Sequence, residues 1–140
     1  MNGRTPTKKE KLYIQAVLTH VGCIACIIDG REIENPELWT ELHHDPDYGS
    51  VDENCHFHSF GLCAPHHRGV VPGGGRVPPH IAVRHPPLSN CARFVERYGT
   101  DEFLCAQTWE LLPQSVKDEI GFDLSLGEVP GDTPVTIREI

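Results

Sequence analysis

The chain has 140 residues, with Lys+Arg 12 against Asp+Glu 20, nine His and six Cys. At 39% hydrophobic and 23% charged it has the composition of one globular domain with a modest core, which excludes a disordered tail. A net charge of −8 argues against a protein that holds nucleic acid by electrostatics alone.

No run approaches the roughly 20 apolar residues of a membrane span. The opening Met1–Pro6 passes into Lys and Glu without the apolar stretch of a signal peptide, so a cytoplasmic location is expected. In a reducing cytoplasm six Cys favour metal ligation over disulfides. The charge is uneven: residues 1–28 carry +3, 29–53 carry −8, 66–99 carry +4 and 101–140 carry −7. That pattern reads either as ordinary solvated faces or as a basic patch beside a His-rich segment on an acidic body.

In chain order, Thr7-Lys8-Lys9-Glu10 is a capping-box pattern, and Leu12 with Ala16 and Tyr13 with Val17 follow at i,i+4 spacing. A helix is predicted over about 7–19, stopped by Gly22. Cys23-Ile24-Ala25-Cys26 then reads as a tight knuckle. After the Asn35-Pro36 turn, Trp39 to His44 alternates like a short strand. Asp45 to Cys55 is a polar loop, and Phe57 to Leu62 forms a second strand able to pair with the first. Pro65 suits the first turn of a short helix carrying His66-His67-Arg68, broken by Gly69 and then by Pro72-Gly73-Gly74-Gly75. Ser89 N-caps a helix to Tyr98, Thr100 another through Leu112, and residues 113–140 read as an acidic, weakly ordered tail.

Two constellations carry chemistry. Cys23-x2-Cys26 and Cys63-x2-His66 each place two ligands on a tight turn, and two such turns converging give a closed Cys3His set for structural Zn²⁺. The alternatives are buried small hydrophobes or a redox pair, the latter without the βαβ context it needs. The second constellation is His43-His44 at the end of the first strand and His67 at the start of the helix after the second. A hairpin followed by a helix can gather these imidazoles around a divalent metal, with an adjacent unligated His left to deprotonate water. His80 is a further ligand candidate across the glycine-rich loop, whereas His20, His56, His58 and His85 read as surface or scaffold residues. Cys91 and Cys105 read as core, and Cys55 remains open.

The pattern Cys-x2-Cys, Leu-His-His, then Leu-Cys-x2-His-His-Arg-Gly resembles the HNH, or ββα-metal, endonucleases. More narrowly it resembles the phage recombination-enhancement (Ref-like) RecA-dependent nucleases. The added likeness is a glycine-rich stretch ending in His80, then Phe94-Val95-Glu96-Arg97-Tyr98-Gly99, then Leu111-Leu112. The likeness spans roughly residues 20–112.

It implies an α+β fold with a ββα-metal core, zinc-stabilised over residues 21–112 and preceded by a helix within 1–20. It implies His43, His67 and His80 on a catalytic Mg²⁺, Mn²⁺ or Zn²⁺, and His44 as general base. Ser59 stands near the place of the family's Asn, which normally orients that base. Arg68, Arg76 and Arg84 would contact phosphate, or are plain surface arginines. The implied activity is hydrolysis of DNA phosphodiesters in phage recombination or repair, in a bacterial host cell. Recruitment by a RecA-type recombinase filament would explain how so acidic a chain reaches DNA. Two other readings stay open: a non-catalytic zinc-binding adaptor and a nucleic-acid-binding protein of phage origin.

Overall fold

Thr7 opens the first helix, α1 (Lys8–Ala16), by a reciprocal capping box. Its hydroxyl accepts the Glu10 N–H at 3.2 Å, and the Glu10 carboxylate accepts the Thr7 N–H at 2.8 Å. This is a computed structural model, and it describes residues 5–32, 35–45, 54–71, 81–84 and 91–128. The helix runs on as a π-helical turn over Val17–Val21 and stops where the sequence predicts, at Gly22 with φ 83°. Cys23 then N-caps α2 (Ile24–Ile28), accepting the Cys26 N–H on its sulfur. The predicted knuckle is thus the first turn of a helix.

Pro36 starts α3 (Pro36–Trp39) and the chain enters β1 (Thr40–His44). Trp39, expected to begin the strand, closes the helix instead. A 3-10 turn at Cys55–Phe57 leads into β2 (Ser59–Cys63). The strands pair antiparallel with Thr40 opposite Cys63, His43 opposite Phe60 and His44 opposite Ser59. Cys63 N-caps α4 (Ala64–Arg68), whose second residue is Pro65 and which ends at Gly69 in the left-handed region, φ 73°. Strand, strand and helix follow one another as the His spacing suggested.

The remaining helices are α5 (Cys91–Tyr98), α6 (Asp101–Leu111), N-capped by the Thr100 hydroxyl, and α7 (Gln114–Ile120). Ser89, His85, Arg76 and His80 lie outside the described residues, as does the side chain of Cys91. The expectation of a weakly ordered tail from 113 onward is corrected as far as residue 128. Within it α7 packs on α1, and Ile120 is buried in the main core. A second 3-10 turn, Leu124–Leu126, follows, its start capped by Asp123. The apolar anchors Val116, Ile120 and Phe122 were hidden by the acidic residues around them.

The core lies between α1, β2 and α6. Tyr13 stacks on Trp109 at 4.7 Å, Phe122 stacks on the same indole at 5.2 Å, and Phe57 meets Trp109 at 5.9 Å. The Trp109 indole N–H donates to the Phe57 carbonyl at 3.0 Å, so the buried ring keeps its polar edge satisfied. Cys105 is buried beside it, as expected of a core residue. Gly61 marks a close approach: a Cβ there would fall 2.5 Å from the Gly22 carbonyl oxygen. The absence of a side chain lets β2 lie directly against the backbone leading into Cys23. Among the described residues no helix is long and apolar enough to cross a membrane.

Candidate functional site

The four residues of the first constellation converge. Cys23 and Cys26 come from the start of α2, Cys63 from the end of β2 and His66 from α4. Their ligand atoms all lie within 4.8 Å of one another. Cys26 Sγ is 3.8 Å from Cys63 Sγ, and His66 Nδ1 is 3.7 Å from Cys23 Sγ, 3.7 Å from Cys26 Sγ and 3.2 Å from Cys63 Sγ. Tetrahedral Zn²⁺ with Zn–S of about 2.3 Å and Zn–N of about 2.0–2.1 Å requires S···S of about 3.8 Å and S···N of about 3.6 Å. The donor set fits zinc in a closed structural site. Hydrogen bonds from Cys23 and Cys26 hold the Cys63 thiol far below its usual range, while burial pushes Cys23 up.

Behind His66 runs a polar chain that the sequence did not reveal. His66 Nε2 lies 3.2 Å from the Tyr98 hydroxyl, and that hydroxyl donates to Asp29 Oδ2 at 2.7 Å. Arg97 closes the chain on Asp29 Oδ1 at 2.9 Å. Burial and the Asp29 hydrogen bond push the Tyr98 phenol up to about 12, so it stays a donor. Burial would raise the Asp29 carboxyl, but hydrogen bonds from Tyr98 and Arg97 outweigh it and hold it low. The Phe-x3-Tyr segment therefore supports the outer side of the candidate zinc site, as the outer hydrogen-bond partners of ligating histidines do.

The second constellation also assembles, on the other side of α4. His43 Nδ1 faces His67 Nε2 at 3.3 Å, with the rings at 81°. Both residues are buried, His43 at 4% and His67 at 8% exposure. Two nitrogens on one tetrahedral ion at about 2.0–2.1 Å stand about 3.3 Å apart, so this pair has the bite of a shared metal. His80, the third expected ligand, lies outside the described residues.

Two carboxylates absent from the sequence reading flank the pair. Glu41 Oε1 accepts from His67 Nδ1 at 2.8 Å, and Asp101 Oδ2 lies 3.6 Å from His43 Nε2. Glu41 shares a strand face with His43 by the two-residue period, a signal that could have found it. Asp101 is far away in sequence and carried no signal beyond its place at a helix start. Each carboxylate is gripped by an arginine. Arg68 reaches Glu41 through Nε at 2.8 Å and again through Nη2, and Arg84 reaches Asp101 through Nε at 2.8 Å and Nη2 at 2.6 Å. The Arg68 hydrogen bonds hold the Glu41 carboxyl down to about 2. Burial works against ionisation of Asp101, yet His43 and Arg84 bring it to about 2. Two arginines expected on phosphate are thus engaged with carboxylates, and Arg84 is nearly buried there; Arg76 lies outside the described residues.

His44 ends β1 and is exposed. Its Nε2 lies 3.0 Å from His56 Nδ1. Partial desolvation of the ring lowers the His44 pKa, and the neighbouring His56 and His43 lower it further, which favours the neutral ring. Ser59 stands opposite His44 in the register, but its hydroxyl donates to the His56 carbonyl at 2.8 Å. It reaches the His44 ring through His56, a residue read from sequence as scaffold. The Ser59 carbonyl in turn accepts from the Tyr13 hydroxyl.

A sequence profile described as recombination enhancement, RecA-dependent nuclease, matches residues 6–113. The chain belongs to this family. Its members are nucleases of recombination, so the RecA-dependent nuclease described here acts on DNA with RecA involved. No curated protein matches the sequence. The profile spans both His-containing centres and the α1 and α6 helices that frame them in this RecA-dependent nuclease.

Proposed function

We propose that the chain is an HNH-type, metal-dependent DNA endonuclease that works on DNA carrying a RecA filament, as a phage protein in the host cytoplasm. The observation that carries this reading is the 3.3 Å approach of His43 Nδ1 to His67 Nε2 on a strand–strand–helix unit, with His44 next in the chain. His43 and His67 would hold a divalent ion, with His80 as a further ligand. Such an ion would supply Lewis acidity to the phosphodiester.

The chain's own residues do the rest. For His44 to act as base, its Nε2–H must donate to His56 Nδ1, which leaves the His44 Nδ1 lone pair free for the water proton. As that proton transfers, the water oxygen forms its bond to phosphorus. The bond to the 3′ oxygen breaks and the leaving oxygen keeps the electron pair. Ser59 fixes the His56 backbone and so the partner of the base. Arg68, 51% exposed at its side chain, can meet a phosphate with the guanidinium edge that Glu41 leaves open. An overall charge of −8 gives the chain little affinity of its own for DNA, which suits delivery by a protein filament.

The test is cleavage by zinc-loaded wild type and by His44→Ala, with Mg²⁺ or Mn²⁺, on bare DNA and on DNA coated with RecA. Cleavage of coated DNA by wild type alone supports the reading. No cleavage by folded wild type under any of these conditions overturns it and favours a zinc-binding adaptor. Equal cleavage of bare DNA overturns the filament dependence.

A further inference from the structure

The residues behind His43 and His67 repeat one arrangement twice: arginine, carboxylate, imidazole. On one side Arg68 grips Glu41, which accepts from His67 Nδ1 at 2.8 Å. On the other Arg84 grips Asp101, which lies 3.6 Å from His43 Nε2. The two come from unrelated parts of the chain, Glu41 from β1 and Asp101 from the first turn of α6. Their outer arginines come from α4 and from the 81–84 segment.

We infer that Glu41 and Asp101 are positioning residues that set the tautomers of His67 and His43, so that one ring lone pair from each faces a single divalent-metal position. The inference rests on the proposed metal-dependent reading and adds to it the groups that prepare the site. A proton on His67 Nδ1, donated to Glu41, leaves Nε2 bare. A proton on His43 Nε2, turned toward Asp101, leaves Nδ1 bare. Those two bare nitrogens are the pair 3.3 Å apart. A carboxylate behind a ligating imidazole raises its basicity and locks its plane, and loss of such a partner costs 10–100-fold in metal affinity.

The arginines keep the carboxylates ionised and stop them from turning inward to become ligands themselves. Bidentate pairing fixes both oxygens of each, which a single hydrogen bond would not do. Arg84 also ties the two centres together, since its backbone N–H donates to the His66 carbonyl at 2.8 Å.

The experiment titrates zinc-loaded protein with Mn²⁺, followed by calorimetry and by the Mn²⁺ paramagnetic signal, and records imidazole ¹⁵N spectra before the addition. Wild type should bind one Mn²⁺, a His43→Ala, His67→Ala double variant none. Glu41→Gln and Asp101→Asn should bind 10–100-fold more weakly while keeping their zinc, with cleavage recovering at saturating Mn²⁺. The ¹⁵N spectra should show His67 protonated at Nδ1 and His43 at Nε2. If wild type and the double variant bind Mn²⁺ alike or not at all, the metal reading itself falls, and this inference with it. If wild type binds and both carboxylate variants bind equally tightly, the inference alone is overturned. Glu41→Gln, at a half-exposed strand position, decides the matter should Asp101→Asn fail to fold.

Discussion

Tyr98→Phe isolates the support behind the candidate zinc ligand His66. The substitution removes one oxygen and keeps the ring, whose contact with Phe94 at 4.9 Å and T-shaped contact with His66 at 5.5 Å remain. What is lost is the acceptor for the His66 Nε2–H at 3.2 Å and for the Arg97 Nε–H at 3.1 Å, and the donor to Asp29 at 2.7 Å. His66 is 1% exposed, so water does not replace the hydroxyl, and a buried donor left without a partner costs about 1–3 kcal/mol. At about 1.4 kcal/mol per tenfold this is roughly 5- to 150-fold in zinc affinity, the range expected of a ligand's outer partner. Asp29 keeps Arg97 Nη2, and the exposed Arg97 can turn its Nε to water, so the main cost falls on the buried histidine. The assay is competition for zinc with a chromophoric chelator, wild type against Tyr98→Phe, with thermal unfolding of both zinc-loaded proteins. Equal zinc affinity in the two would refute the claim that this hydroxyl steadies the ligand.

Other perturbations test other parts of the argument. Gly61→Ala places a methyl against the Gly22 carbonyl, backbone against backbone, and should lower stability by about 1–3 kcal/mol in denaturant unfolding and loosen zinc retention with it. Thr7→Ala removes the capping box of α1 and should cost about 1 kcal/mol by the same measurement, with no change in zinc affinity. Burial would raise the Asp123 carboxyl, but the Ser125 hydrogen bonds and Lys117 at 3.0 Å hold it below its ordinary value. A depressed folded pKa stabilises above the unfolded value of about 3.9 and loses that contribution as pH falls through the folded one. Asp123→Asn should therefore lower the melting temperature at pH 6 and converge with wild type toward pH 3; parallel curves would count against it. His56→Ala should reduce kcat for cleavage more than Ser59→Ala does, because only the former removes the ring at His44 Nε2.

Local signals in the sequence carried far. Thr7 with Glu10, Gly22, Pro65, Gly69 and Thr100 each mark an element end where backbone chemistry demands it, and the structure ends its helices there. The candidate zinc ligands were legible because both halves, Cys23-x2-Cys26 and Cys63-x2-His66, are short-range patterns. His43 and His67 were legible because a hairpin followed by a helix forces them together. The second layer was not legible. Asp101, Tyr98 and Asp29 reach the histidines only through tertiary packing, over separations no periodicity encodes. Arg84 read as a phosphate contact or a surface cation because a sequence does not show which arginine will meet a buried acid. The helix at 114–120 was missed for a related reason: three apolar anchors among acids look like a tail until a core is there to receive them.

The helix α4 is a single turn of five residues, and its adjacent histidines serve different centres. Neighbouring helical positions lie about 100° apart around the axis, so one short turn can face both ways at once. That economy couples the two centres of the proposed enzyme through one turn of backbone. Zinc held by Cys23, Cys26, Cys63 and His66 would add its own anchor to the turn that presents His67 to His43, beside Glu41 and the Arg84 N–H.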